Sequence, residues 1–293
     1  MSLNYPTLYS AVATGLIKGR MGFLTKLNDA FDIPAGAAAG VLYVNMLDTV
    51  VTETPTAGTF LAQGVANTLT AITLTHKFAT NLMSVNQTMG AMQTPQAHGA
   101  ILEKFADALV MDMQAAVIAG LKAATISPNT DTLTTTFIDF AIPSSSTTTA
   151  AMVLEYMQPV SKAITTVMAN KAGAPLSQFY VLTTPTALGN LMGLGYVQGI
   201  SSPITVRPDG TAFIAPGIDV FGIDGTNFGS AGNEVMFVGH REGYAFKFDG
   251  IRPWRGGVPV EDGDGQLRQS YYAAYGYGVP KDELLFEIVN PKS

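Results

Sequence analysis

The stretch TPQAHGAILEKFADALVMDMQAAVIAGLKA, residues 94–123, decides the fold. Thr94 is a good N-cap, and Pro95 suits the first helical position, where a missing N–H costs nothing. The pattern predicts one helix from Pro95 to Ala123, roughly 40 Å long at the usual rise per residue. Glu103, Asp107 and Gln114 fall on one face of it. Leu102, Phe105, Leu109, Met113, Ala116 and Val117 fall on a broad opposite arc,. A helix of this length is a girder, and the remaining segments are read outward from it.

Upstream, Val41 to Thr54 reads as a strand, with Leu42, Val44, Met46 and Val50 alternating with Tyr43, Asn45, Leu47 and Thr49,. Thr54-Pro55-Thr56-Ala57-Gly58 is a turn cluster,. Thr68 to Phe78 alternates again, through Thr70, Ile72, Leu74 and His76. The two strands make a long hairpin, and residues 54–75 carry no charge. A hairpin projecting into water ordinarily carries Lys or Glu to protect its edges. A bare one is expected to lie on another subunit. Further upstream, Ser10 to Leu27 holds a short helix ended by Asp32-Ile33-Pro34-Ala35-Gly36. This first segment is expected to be an arm rather than a core element.

Downstream, Thr125 to Phe140 is Thr-rich, with Phe137, Ile138 and Phe140 suggesting a strand. The run from Ser144 to Thr149 reads as a loop ending in an N-cap, with a modified linker as the alternative,. Ala150 to Lys171 is helical, Pro159 is expected to kink or divide it, and Gly173 and Pro175 stop it,. Gln178 to Leu182 is a short buried strand, and Thr184-Pro185 starts a helix to about Met192. Gly193 to Gly217 reads as loop. Strands follow at Ile218–Phe221, Val235–Val238, Tyr244–Phe248, Gln266–Val279 and Leu284–Val289, with an acidic turn over Val258–Gly265.

Composition narrows the function classes. The chain has 293 residues, 47% of them hydrophobic, enough for a sizeable core and too apolar for disorder,. Charged residues are only 13%, about half the usual share,. The longest charge-free stretch, Ala172 to Val206, is broken by three prolines and holds no apolar run of membrane-spanning length,. The start has no basic region followed by an apolar core, so no signal peptide is expected and the protein is placed in a cytoplasm,. Scarce charge then points to a subunit that hides its surface in an assembly. The net charge of −6 argues against tight nucleic-acid binding, which runs on phosphate neutralisation,.

Chemistry-bearing motifs are absent. There is no cysteine, which removes disulfides, Cys-ligated metals and thiol nucleophiles,. His76, His98 and His240 have no partner at metal-ligand spacing, and His240 is expected to be a satisfied structural histidine,. No nucleophile elbow, zinc-protease helix, phosphate-binding loop or dinucleotide fingerprint occurs. No catalytic residue, cofactor or metal site is expected. Glu261-Asp262-Gly263-Asp264-Gly265 reads as a hairpin turn, and Asp282-Glu283 beside Lys281 as a strand-entry charge group. Arg252-Pro253-Trp254-Arg255 reads as a packed Trp with stacked Arg, or as an intersubunit or phosphate contact,.

The order of elements resembles that of tailed-bacteriophage major capsid proteins of the Hong Kong 97 fold, which encapsulins share. Leu74 through Val85 leads into the helix 95–123 as that family's hairpin strand leads into its spine helix. Gln178–Leu188 looks like its buried strand and Pro-started helix. Pro216-Gly217-Ile218-Asp219-Val220 looks like the short strand after its loop, and Val235–His240 and Tyr271–Val279 like its closing strands.

The resemblance implies an α+β fold with an N-terminal arm (1–36) and an extended hairpin loop (37–80). It implies a peripheral domain (81–143) with spine helix 95–123, an axial domain (144–240), and C-terminal strands (241–293) returning to the peripheral domain. Self-assembly into hexamers and pentamers of an icosahedral shell around phage double-stranded DNA is implied, in a virion assembled in the host cytoplasm. Implied partners are a separate scaffolding protein, a portal protein and packaged DNA held without specificity, with no membrane. Phe60, Leu61, Val65, Leu69, Arg252, Trp254 and Arg255 are expected at intersubunit contacts. Some capsids of this fold crosslink a loop Lys to a neighbour's Asn, and residues 50–75 hold no Lys. The alternatives are an encapsulin-type shell enclosing cargo enzymes, or a cytosolic α+β enzyme without a recognisable motif.

Overall fold

The computed structural model describes residues 5–33, 40–47, 67–86, 95–124, 130–132, 150–185, 188–189, 204–206, 212–214, 217–223, 235–253, 260–262 and 266–289. Over these residues the helices are α1 (Tyr5–Arg20), α2 (Pro95–Ala123) and α3 (Ala150–Asn170). The strands are β1 (Gly40–Leu47), β2 (Asn67–Asn86), β3 (Thr130–Thr132), β4 (Phe179–Thr183), β5 (Ile204–Val206) and β6 (Ala212–Ile214). They continue as β7 (Ile218–Gly222), β8 (Val235–His240), β9 (Ala245–Pro253), β10 (Val260–Asp262), β11 (Gln266–Gly278) and β12 (Leu285–Val289).

The girder runs over the residues that its pattern predicts. Ala106, Leu109, Val110, Met113, Val117, Ile118 and Leu121 are buried at three- and four-residue steps, while Glu103, Lys104, Asp107 and Asp112 face out. Helix α3 passes through Pro159 without dividing. A mid-helix proline costs about 3 kcal/mol. Burial of Val160, Ala163 and Val167 at helical spacing offsets it,. Gly173, at φ +83°, then turns the chain out of the helix,.

The strands form two sheets. The first runs β1-β2-β11-β10, with β9 also paired to β11. The second runs β3-β12-β8-β4-β7-β6-β5. The central strands β4 and β8 of the second sheet are buried on both faces, which is why Phe179–Leu182 and Met236–Val238 read as unbroken apolar runs,. On one face Phe179, Val181, Met236, Val238, Phe286 and Ile288 pack with α3. On the other, Tyr180, Leu182, Phe237 and Leu285 share a core with α1, α2 and the first sheet.

Four expectations are corrected. The first segment is not an arm outside the core: Ala13, Ile17, Phe23, Leu24, Leu27 and Phe31 are all buried. Helix α1 starts at Tyr5 rather than Ser10, and Arg20 ties it to α2 through Asp107 at 2.5 Å. Its apolar stripe is only a few residues wide, so it reads as modest until α2 and β9 supply the other side of the packing. The stretch 193–217 is not all loop: β5 and β6 pair within it, three residues each, too short to show a period. Residues 260–262 of the acidic turn are strand, paired with β11. The C-terminal strands divide between the sheets: β11 joins the one beside the hairpin, and β12 enters the second between β8 and β3. Its alternation demands this, because Leu285 and Phe286 serve the two different cores of that sheet.

A cluster of buried phenols lies at the centre. Tyr180, Tyr244 and Tyr275 are almost wholly buried, and Tyr244 donates to the Val117 carbonyl at 3.1 Å. Gly120 of α2 lies against Tyr244 and Tyr277, where a side chain would collide. Burial pushes all three phenols above the ordinary tyrosine value. The folded state therefore holds these protons more tightly than the unfolded chain does. The resulting stability is complete below about pH 10 and is lost as the pH rises beyond it. Melting temperature is expected to hold steady to about pH 9.5 and to fall steeply above pH 10 or so. Thermal melts across that range, with phenolate absorbance read in parallel, check this. Ionisation of all eleven tyrosines near pH 10 without loss of structure would contradict it,.

Candidate assembly interface

The hairpin is built as its alternation predicts. β1 and β2 pair antiparallel from Gly40↔Leu74 to Leu47↔Asn67. One face is internal. Thr70, Ile72 and Leu74 are buried, and Ile72 and Leu74 pack with Phe31 and Ala245 while Leu42 and Val44 lie partly covered beside them. Gly276 of β11 lies under this cluster; a Cβ there would stand 3.1 Å from both Ile72 and Leu74. The other face is open at β1. Val41 is 59% exposed and Tyr43 68% exposed. Their cross-strand partners, Thr73 and Ala71, are exposed as well.

That open face continues a covered one. Thr73 stands opposite Tyr277 of β11, and directly opposed residues share a face,. Tyr277 stacks on Tyr275 at 6.2 Å, and both lie toward the core shared with α2. Helix α2 therefore covers the β11 end of the face and leaves the β1 end uncovered by any described residue. β1 is also the terminal strand of its sheet, and Gly40–Leu47 contains no charged residue and no proline. Natural edge strands ordinarily carry such residues as protection against pairing.

The sequence-predicted contact residues divide. Leu69 lies in β2 opposite Asn45 of β1. Arg252 lies in β9 opposite Tyr272 of β11, which in turn stands opposite Phe78 of β2. Phe78 is nine residues along β2 from Leu69, about 30 Å at strand rise, so the fold does not bring Leu69 and Arg252 together,. Phe60, Leu61, Val65, Trp254 and Arg255 lie outside the described residues, as does the Ser144–Thr149 run. Val41 and Tyr43 were not singled out in the sequence. The available signal was the bare odd-numbered face of the first strand, one aromatic and one β-branched residue long.

The charged groups form ties within the chain. Lys247 pairs with Asp32 at 2.6 Å, holding the Asp32 carboxyl below its ordinary range through this hydrogen bond. Lys26 pairs with Asp219 at 2.5 Å, joining the turn after α1 to β7. Among the described residues no group of three potential metal ligands comes together, and no helix is long and apolar enough to cross a membrane.

No family model and no curated protein sequence matches the chain. Solved structures do. A virus-like particle from Pyrococcus furiosus superposes with a TM-score of 0.56 at 11% identity, over 98% of this chain and 100% of that one. The holo-SrpI encapsulin complex from Synechococcus elongatus gives 0.52 at 12% identity, over 92% and 87%. The mature capsid of bacteriophage PhiM1 gives 0.50 at 12%, over 85% and 81%. The similarity covers 85% or more of this chain in each case, and the chain has the Hong Kong 97-like α+β fold found in phage capsid and encapsulin shells.

Proposed function

We propose that this protein is the repeating subunit of an icosahedral shell, a phage major capsid protein that assembles into hexamers and pentamers around double-stranded DNA. The observation that carries the reading is the bare edge hairpin. A two-stranded ribbon is marginal in water by itself. Here one face is anchored on Phe31, Ile72 and Leu74, while Val41 and Tyr43 on the other face point away from the chain's own core. A neighbouring copy is the partner that such a surface needs. The shells formed by proteins of similar fold support the same reading.

DNA inside the shell would meet an acidic protein, so contacts would be weak, salt-sensitive and blind to sequence. A scaffolding protein and a portal protein complete the proposal as assembly partners. Negative-stain imaging of the purified protein tests it: closed shells of uniform diameter are expected. A stable monomer on size-exclusion chromatography would overturn it. Particles that carry protein cargo and no DNA would move the reading to an encapsulin-type compartment.

Assembly is expected to be non-covalent. Residues 50–75 hold no Lys to crosslink to a neighbouring chain. Boiled particles on a denaturing gel should give one band near 30.8 kDa. A ladder of higher bands would contradict this.

A further inference from the structure

Two short crossings carry the chain between the sheets. β8 leaves the second sheet at His240 and β9 enters the first at Ala245. β11 leaves the first at Gly278 and β12 enters the second at Leu285. The crossings lie side by side. A Cβ on Gly243 would stand 3.0 Å from the Leu284 carbonyl oxygen and 3.0 Å from the Leu285 side chain. The turn Arg241–Gly243 is tied in three directions. Glu242 pairs with Lys171 at the end of α3 at 2.9 Å and with Lys281 on the other crossing at 3.6 Å. Arg241 pairs with Asp29, beyond α1, at 2.8 Å.

The turn is capped by an imidazole. His240 is fully buried, and its Nδ1 accepts the Glu242 backbone N–H at 3.2 Å. An accepting Nδ1 carries no proton, so the ring's proton sits on Nε2 and is donated to Gln178 Oε1 at 3.0 Å,. Both nitrogens are thus used by the neutral ring. A protonated ring donates from both. Its Nε2 still serves Gln178, but Nδ1–H then faces the Glu242 N–H, and the cap is lost. Ser, Thr and Asn, common capping residues, have no such transition.

We propose that the His240-capped turn is a pH-sensitive clasp at the crossing between the two sheets, closed while the ring is neutral and released when Nδ1 takes a proton from solvent. Release frees the turn that carries Arg241 to Asp29 and Glu242 to Lys281.

The groups facing the ring set where this happens. Burial disfavours the imidazolium, as do Lys171, Lys281 and Arg241; Glu242 favours it, and Phe179 meets the ring edge-on at 5.0 Å. Burial is the largest influence, and the balance holds His240 below the ordinary histidine value. A base whose folded value is lowered contributes stability that is complete above about pH 6.5 and is lost as pH falls through its folded value. The clasp is therefore shut at neutral pH and opens in acid.

Hydrogen exchange read by mass spectrometry on the purified protein, stepped from pH 7.5 to 4.5 and corrected for intrinsic rates, tests this. Exchange over residues 241–245 is expected to rise roughly fivefold to tenfold in acid, the factor that a lost cap carries. The interior of α2 should not change over the same steps. In His240→Asn, whose amide oxygen caps without titrating, exchange over 241–245 should stay constant. No acid response in the native protein, or an equal response in the variant, would overturn the proposal. Should that variant not fold, Glu242→Gln decides instead. It keeps the backbone donor and removes the carboxylate that favours the imidazolium, so the opening midpoint should move to lower pH. A midpoint that stays or rises would overturn the clasp.

Discussion

Tyr43→Glu subunits are expected to fold and to fail to assemble. Tyr43 is 68% exposed in the single chain, and its cross-strand partner Ala71 is exposed too. Substitution at such a position ordinarily changes subunit stability by no more than about 0.5 kcal/mol. In a shell that places this face against a neighbour, the same carboxylate is buried without a counter-charge. The first strand offers none, since Gly40–Leu47 is free of charge. An unpaired buried charge costs on the order of several kcal/mol, and a shell repeats that cost at every copy of the contact. Val41→Lys should act in the same way. Sedimentation and negative-stain imaging read assembly, and a thermal melt of the dissociated subunit reads folding. Normal shells from either variant would remove the hairpin from the interface. A melt lowered by many degrees would show that the face belongs to the subunit's own core.

Gly239→Val is expected to damage the subunit itself. Gly239 lies mid-sheet, opposite Tyr180 on one side and Leu285 on the other. Both neighbouring side chains lean over it. A Cβ there would stand 2.7 Å from Tyr180 Oη, 2.8 Å from Cζ and 2.9 Å from Leu285 Cδ2. The phenol ring is rigid and Leu285 is fully buried, so neither yields cheaply,. The loss should be on the order of 3 kcal/mol, which lowers Tm by roughly 5–10 °C in a domain of this size. Tyr180→Phe is the control. Its hydroxyl is buried without a hydrogen-bond partner among the described residues, so removing it should leave stability within about 1 kcal/mol,. A Gly239→Val protein as stable as its parent would mean that β4 and β12 stand further from β8 than described. A Tyr180→Phe protein that loses several kcal/mol would mean that the hydroxyl has a partner after all.

Local pattern and long-range pairing were unequally legible. Helix α2 was readable to the residue because Thr94-Pro95 marks its start and seven buried side chains repeat at its period. The hairpin was readable because strand alternation assigns faces, and Thr70, Ile72 and Leu74 did turn inward. β4 was readable as buried because no polar residue interrupts Phe179–Leu182. Legibility failed where an element owes its place to a distant partner. Nothing near Ile17 or Phe23 announces that α2 will cover them.

By itself, then, the sequence determined the girder, the strands long enough to show a period, the bareness of the hairpin and the lack of nucleophile and cofactor motifs. Each of these is a property of neighbouring residues, set by backbone periodicity and side-chain chemistry. The tertiary structure alone decided that the first segment is core and that β12 joins the second sheet. It alone showed that Leu69 and Arg252 stand far apart, that Val41 and Tyr43 are left exposed, and that His240 caps the crossing. Those outcomes depend on which surfaces meet. A face is buried or open only relative to what packs on it, and packing couples residues more than two hundred positions apart, as Asp29 and Arg241 are coupled here,.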